Sequence, residues 1–132
     1  MERIISIPSH IDNLRIIEKI IDEISADSGI KGENYGKILV ATMEAVNNAI
    51  VHGNKSDVRK DVKIEISLNG SVLEVSVEDQ GKGFDPRQIP DPTKPENIEN
   101  ISGRGVYLMS RLADEIEFNE SGNRVTIRFK DI

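Results

Sequence analysis

The sequence predicts an α+β fold: a two-layer sandwich in which helices cover one face of a mixed, mostly antiparallel sheet. Three observations carry this expectation. The stretches "VKIEISL" and "VLEVSVED" alternate apolar and polar residues around the turn "NGS", the pattern of a hairpin with one buried face. Two longer stretches before them repeat apolar residues at helical spacing. The resulting order is strand, two helices, two strands, a long loop, a helix and two strands, and it suits helices packed against one side of a sheet.

Each element has its own signal. "RIISI" reads as a short first strand. From Ile11 to about Ser28, Ile11, Leu14, Ile17, Ile21 and Ile24 fall on one helical face, and Gly29 is placed to end the helix. A second helix runs from about Glu33 to His52 and is closed by Gly53. In the hairpin, Ile64, Ile66 and Leu68 face the same side as Leu73, Val75 and Val77. A third helix is expected from Val106 to about Ala113, after "SGRG". "EIEF" and "RVTIRF", joined by "NESGN", complete the sheet. Between the hairpin and the third helix, residues 80–103 carry four of the five prolines and show no periodicity. A loop of that length inside a compact domain is either functional or disordered, and its place between two glycine pairs favours a ligand lid.

The chain has 132 residues, enough for one domain (1–132) with a core that needs no disulfide or metal staple. It contains no cysteine, which removes disulfides, thiolate zinc sites and thiol nucleophiles from consideration. The net charge is −6 and the basic residues are scattered among acids, so direct nucleic-acid binding is not expected. No apolar run approaches a membrane span, and "MERIISIPSH" lacks a signal-peptide core; the expected localisation is cytoplasmic.

Three segments could carry chemistry. Asp79 follows "LEVSVE" and shares the alternation of Leu73, Val75 and Val77, so its carboxylate points toward the buried side, where an unpaired charge is costly. Its partner is either a group within the protein, in a cap, turn or ion pair, or a ligand donor such as the exocyclic amine of adenine. Gly81 and Gly83 follow, and without a Cβ they can adopt positive φ and approach a planar ligand closely. Gly103 and Gly105 are expected to open the third helix, whose free N–H groups make a seat for phosphate.

On the second helix, in "MEAVNNAIVHGN", Glu44 and Asn48 lie one turn apart, opposite Ile38, Thr42, Ala45, Val46 and Ala49. They form either a solvated helix face or a site for a water and a Mg²⁺ ion, which takes few protein oxygens besides phosphates. His52 suits a helix C-terminus, and His10 a structural or exposed position. No P-loop is present, and neither glycine pair completes a dinucleotide-binding fingerprint.

Taken in order, Glu44-x-x-x-Asn48, Asp79-x-Gly81-x-Gly83 and Gly103-x-Gly105 resemble the N, G1 and G2 boxes of the Bergerat-fold, or histidine-kinase-like, ATPases. Within that superfamily "EAVNNAIVHGN", "DQGKGFDP" and "SGRGVYLMSRLADEIEF" most resemble the bacterial anti-sigma factor serine kinases. The resemblance implies ATP and Mg²⁺ as cofactors. Asp79 would accept from the adenine amine, Asn48 would bind the metal, and the Gly103–Gly105 segment would meet the phosphates. Glu44 would act as the general base toward a partner's serine, and Arg104 could neutralise γ-phosphate charge. The resemblance also implies partners: a sigma factor, a STAS-type anti-anti-sigma protein and a second copy of the chain.

Two departures from the wider superfamily are visible. Val106-Tyr107 follows Gly105 where histidine kinases commonly have Leu-Gly, and Gly122-Asn123-Arg124 stands where many relatives have Gly-Thr. Two other readings accompany the kinase: a nucleotide-holding module that inhibits a partner without phosphotransfer, and an ATP-binding domain serving a separate histidine phosphoacceptor.

Overall fold

The computed structural model describes residues 1–81 and 101–132, with the side chains of residues 101–104 excepted. Strand β1 (Glu2–Pro8) leads through a 3₁₀ turn (Ile11–Asn13) into α1 (Leu14–Ser28) and then α2 (Glu33–Asn48). A π-helical turn (Ala49–Gly53) extends α2. The hairpin β2 (Asp61–Asn69) and β3 (Val72–Glu78) follows, then α3 (Ile101–Leu112), β4 (Glu115–Phe118) and β5 (Arg124–Phe129).

The five strands form one sheet in the order β1-β2-β3-β5-β4, and every pairing is antiparallel. The mixed sheet expected from the sequence is therefore antiparallel throughout among the described residues. The reason is topological. The crossover through α3 makes β4 run in the same direction as β3, but β5 returns between them and separates the two parallel strands.

Alternation divides the sheet into two unlike faces. On one, Ile7, Val62, Ile64, Ile66, Leu73, Val75, Val77, Ile127 and Phe129 are buried and join Ile17, Ile21, Ile24, Ile38, Val46 and Ile50 of the helices in one core. The other face carries charge in opposed pairs. Arg128 reaches Glu74 at 2.8 Å, Glu117 at 3.0 Å and Glu115 at 3.3 Å, and Arg124 bridges Glu65 and Glu78. Between them the Ser76 and Thr126 hydroxyls bond at 2.9 Å. These ion pairs are part-exposed and contribute little stability each, but they match charges across strands and keep this face soluble and in register.

The helix ends follow their local chemistry. Gly29 takes φ 72° and terminates α1, as its placement predicts. The start of α1 differs from expectation: Ile11–Asn13 is a tighter turn, capped by the His10 Nδ1, which accepts from the Asp12 N–H at 3.1 Å. The hairpin loop is two residues long, with Gly70 at φ 62° supplying the left-handed position the turn needs.

The third helix starts at Ile101, five residues before the expected Val106, so Gly103 and Gly105 lie inside it rather than ahead of it. Glycine is a poor helix former, which is why the sequence reads as a loop there; packing against α2 overrides the propensity. The greater part of the expected lid, with Gly83, lies outside the described residues.

The two faces predict different costs for the same truncation. Ile66→Ala, in the core, is expected to lower unfolding free energy by about 2–5 kcal/mol. Ile4→Ala, 61% exposed on the polar face of β1, should change it by about 0.5 kcal/mol or less, both read from urea denaturation.

Candidate functional site

The end of β3 meets the end of α2. Pairing continues one residue beyond the strand, because the Asp79 N–H donates to the Asn123 carbonyl at 2.9 Å. Asp79 therefore keeps the alternation and turns its carboxylate to the helix side of the sheet. One oxygen, Oδ1, accepts from the Gly81 N–H at 2.8 Å. The carboxylate lies so close over Gly53 that a Cβ on that residue would overlap it. Burial pushes the Asp79 carboxyl above the ordinary aspartate value, with the Gly81 N–H opposing the shift. Of the two partners the sequence allows, the described residues supply only this turn bond and no ion pair within 4 Å.

The glycines serve close approach rather than unusual dihedrals. Gly81 is not among the positive-φ residues; instead, a Cβ there would collide with the Gly53 carbonyl. Of the two freedoms the sequence offers at Gly81, positive φ and close approach, the close approach is the one used within the chain. Gly53 likewise does not close a regular α-helix. It ends the π turn, in which Asn54 N–H reaches back to the Ala49 carbonyl at 2.8 Å, one residue further than an α-helical bond. Single π turns of this sort recur at functional sites.

Asn48 and Glu44 share one stripe of α2, four residues apart. That stripe is not simply a solvated face. Gly105 of α3 is buried against Asn48, and a Cβ there would overlap the Asn48 carboxamide. Among the described residues the buried Asn48 Oδ1 has no hydrogen-bond partner, and neither has the His52 Nε2 one turn later. An unpaired buried oxygen is costly, so a cation or donor that satisfied it would be bound with that cost already met. Glu44 is partly exposed on the same stripe and has no hydrogen bond or ion pair described to it.

The donor set suits Mg²⁺. Among the described residues no group of three His, Cys, Asp or Glu side chains gathers to hold a metal by itself. A hard amide oxygen with room left for water and phosphate is the small protein contribution that Mg²⁺ takes. Gly103 and Arg104 lie in the first turn of α3; their side chains are outside the described residues, as is the whole of Gly83.

The residues missed by sequence reasoning are asparagines. Asn54 is fully buried and bonds to Ser9 Oγ at 2.8 Å, the Asp61 carbonyl at 3.0 Å and the Gln80 N–H at 2.7 Å. Asn123 stands at the departure from Gly-Thr. Its Nδ2 donates to the Asp79 carbonyl at 3.3 Å, and its Oδ1 accepts from Asn119 at 2.7 Å and Ser121 at 2.9 Å. Asn54 sits at the end of the quoted motif "MEAVNNAIVHGN", but nothing in its spacing shows that its amide would turn inward.

A half-buried acid at a strand end thus meets the extension of an amide-bearing helix on the covered face of the sheet. The chain belongs to the histidine kinase-like ATPase domain family, whose model matches residues 7–129. It is 30% identical over 128 residues to the serine-protein kinase RsbW of Bacillus subtilis (strain 168), covering 92% of this chain and 80% of that protein. It is also 36% identical over 98 residues to the anti-sigma F factor of Clostridium perfringens, covering 71% of this chain and 69% of the relative. Among solved structures, the RsbU and RsbW domains of Rv1364c from Mycobacterium tuberculosis align with a TM-score of 0.72 over 98% of this chain. That likeness, at 19% identity and 32% of the larger chain, concerns the fold. A histidine kinase domain from Erythrobacter litoralis aligns with a TM-score of 0.55 at 23% identity, over 94% of this chain and 61% of its own.

Two outcomes test this geometry. Gly105→Ala should displace the Asn48 carboxamide and cost about 1–3 kcal/mol of stability, as overpacking does, with a concurrent loss of Mg-ATP affinity in calorimetry. Asp79→Asn should raise thermal stability at neutral pH. Because the folded-state pKa of Asp79 is raised, folding is penalised once pH exceeds the unfolded value, and the penalty is complete above the folded value. The difference between wild type and Asp79→Asn should therefore grow as pH rises through the carboxylate range and then stay level, in melts taken from pH 3 to 8.

Proposed function

We propose that this protein is an ATP-dependent serine kinase and anti-sigma factor, which sequesters a sigma factor and phosphorylates a STAS-type anti-anti-sigma partner. The observation that carries the reading is the buried Asn48 oxygen, unpaired among the described residues and one helical turn from Glu44, on a helix whose π-turn extension meets the Asp79 carboxylate at Gly53. The named relatives, a serine-protein kinase and an anti-sigma F factor, support it.

Asp79 accepts a hydrogen bond from the adenine amine. Guanine presents an oxygen there, and two facing acceptors in a half-buried site discriminate against it, by as much as roughly 10⁴-fold where such a site is well built. Asn48 would hold Mg²⁺, which when bound neutralises phosphate charge. The segment around Gly103 and Gly105, at the start of α3, meets the phosphate tail with helix N-terminal N–H groups, and Arg104 adds positive charge there. Glu44 takes the proton from the serine hydroxyl of the partner. The serine oxygen forms a bond to the γ-phosphorus, the bond to the β–γ bridging oxygen breaks, and ADP leaves with that electron pair. Such transfer depends on positioning and charge compensation more than on covalent help from the protein. The segment between Gly81 and α3 acts as the lid over the nucleotide.

The working unit is a homodimer in the cytoplasm. No helix among the described residues is long and apolar enough to cross a membrane.

Glu44→Ala separates phosphotransfer from binding. Affinity for Mg-ATP should stay within several-fold of wild type, while transfer of γ-³²P label to the partner serine falls by about 10²–10⁴-fold, the usual contribution of a general base. A wild-type protein that binds nucleotide and sequesters a sigma factor but never labels a partner would leave a regulatory binding module instead. In the same assay Asp79→Asn should weaken Mg-ATP binding about tenfold, because a charge-assisted hydrogen bond becomes a neutral one.

A further inference from the structure

The peptide unit that joins Asp79 to Gln80 is held at both ends by side-chain amides. Its N–H, carried by Gln80, donates to Asn54 Oδ1 at 2.7 Å. Its carbonyl, carried by Asp79, accepts from Asn123 Nδ2 at 3.3 Å. The two asparagines come from opposite sides of the site, one from the turn after α2 and one from the loop before β5. Both are themselves anchored. Asn54 spends its two amide hydrogens on Ser9 Oγ and the Asp61 carbonyl, and Ser9 passes its own hydrogen to the Lys60 carbonyl at 2.7 Å. Asn123 is fixed through its Oδ1 by Asn119 and Ser121. A second strap runs from the Asp61 N–H to Gln80 Oε1 at 2.7 Å.

We propose that Asn54 and Asn123 form an amide clamp on the Asp79–Gln80 peptide, and that this clamp is a specificity determinant for adenine. The proposal rests on the reading of Asp79 as the base-recognising group. Holding the peptide plane fixes ψ of Asp79 and φ of Gln80, so the strand end presents the carboxylate at one angle. A rigid acceptor rejects guanine because it cannot turn aside from the facing oxygen, whereas a loosened one can. The buried position 54 also calls for a neutral amide. It must accept from one N–H and donate to two oxygens, which a carboxylate cannot do, and a second anion beside the half-buried Asp79 would be repelled. The same clamp ties the start of the Gln80 segment to the π turn that follows Asn48, so the base-reading and metal-facing ends of the site are set by one network.

Calorimetry with Mg-ATP and Mg-GTP on the full chain, together with thermal melts, tests the clamp. Asn54→Ala should weaken Mg-ATP binding by about tenfold or more and narrow the ATP-to-GTP affinity ratio by a comparable factor, the scale of effect expected when a recognition group is slightly misplaced. Ser9→Ala cuts the same network on the side away from Asp79; it should lower the melting temperature while leaving the ratio within about twofold of wild type. Asn123→Ala, on the less buried arm, should narrow the ratio in the same direction with a smaller loss of melting temperature, and it provides the reading if Asn54→Ala does not fold. Folded Asn54→Ala and Asn123→Ala proteins that keep the wild-type ratio would overturn the clamp while wild-type binding still upheld the nucleotide site. Absence of Mg-ATP binding in folded wild type would overturn both. Binding and clamp effects without serine phosphorylation would uphold the clamp and reject only the kinase.

Discussion

The Asp79 carboxylate and the end of α2 compete for one volume, and glycine is the residue that lets both have it. A side chain at Gly53 would overlap the carboxylate, and one at Gly81 would strike the Gly53 carbonyl. Because these backbones touch, the position of α2 over the sheet is set by the end of β3, to within the length of a methyl group. Asn48 follows from that placement, and α3 is then seated on Asn48 through the bare backbone of Gly105. The site is an arrangement of three close approaches. Each removes a Cβ so that a polar group can stand where packing would ordinarily place carbon.

Such a site opposes stability. A half-buried carboxylate with a raised pKa, an orphaned carboxamide oxygen and an orphaned imidazole nitrogen are all unfavourable in the free protein. The surrounding structure offsets this with a core of branched aliphatics under five strands and with polar networks that leave few other buried groups unpaired. Lys55 and Ser56 adopt left-handed backbone directly after the π turn, so strain is also concentrated beside the site. The charged outer face of the sheet lies on the side away from this site, and its part-exposed ion pairs contribute little stability each.

Much of the fold was legible because burying one face of a sheet leaves a period of two. Ile64, Ile66, Leu73, Val75 and Val77 declared the hairpin, and Leu73, Val75 and Val77 pair on their other side with the apolar residues of "RVTIRF". Gly29 announced the end of α1. The start of α3 was hidden because Gly103 and Gly105 imitate a loop, and the gain that makes them helical lies on α2, more than fifty residues earlier. The antiparallel character of the whole sheet was hidden as well. Strand order depends on where β5 inserts, and alternation within a strand carries no information about its neighbours.

For the site, the sequence by itself determined which groups are present and in what order: an acid at a strand end, an amide and an acid one helical turn apart, and glycines at each junction. Those follow from local periodicity, which any single segment records. Only the tertiary structure decided what the groups touch. It turned the glycines from sources of backbone freedom into points of contact, covered Asn48 with α3, and brought Asn54 and Asn123 to the two ends of one peptide. The physical reason is that a hydrogen bond between residues dozens of positions apart leaves no periodic trace in the chain; it exists only once the sheet and helices have fixed the distance between them.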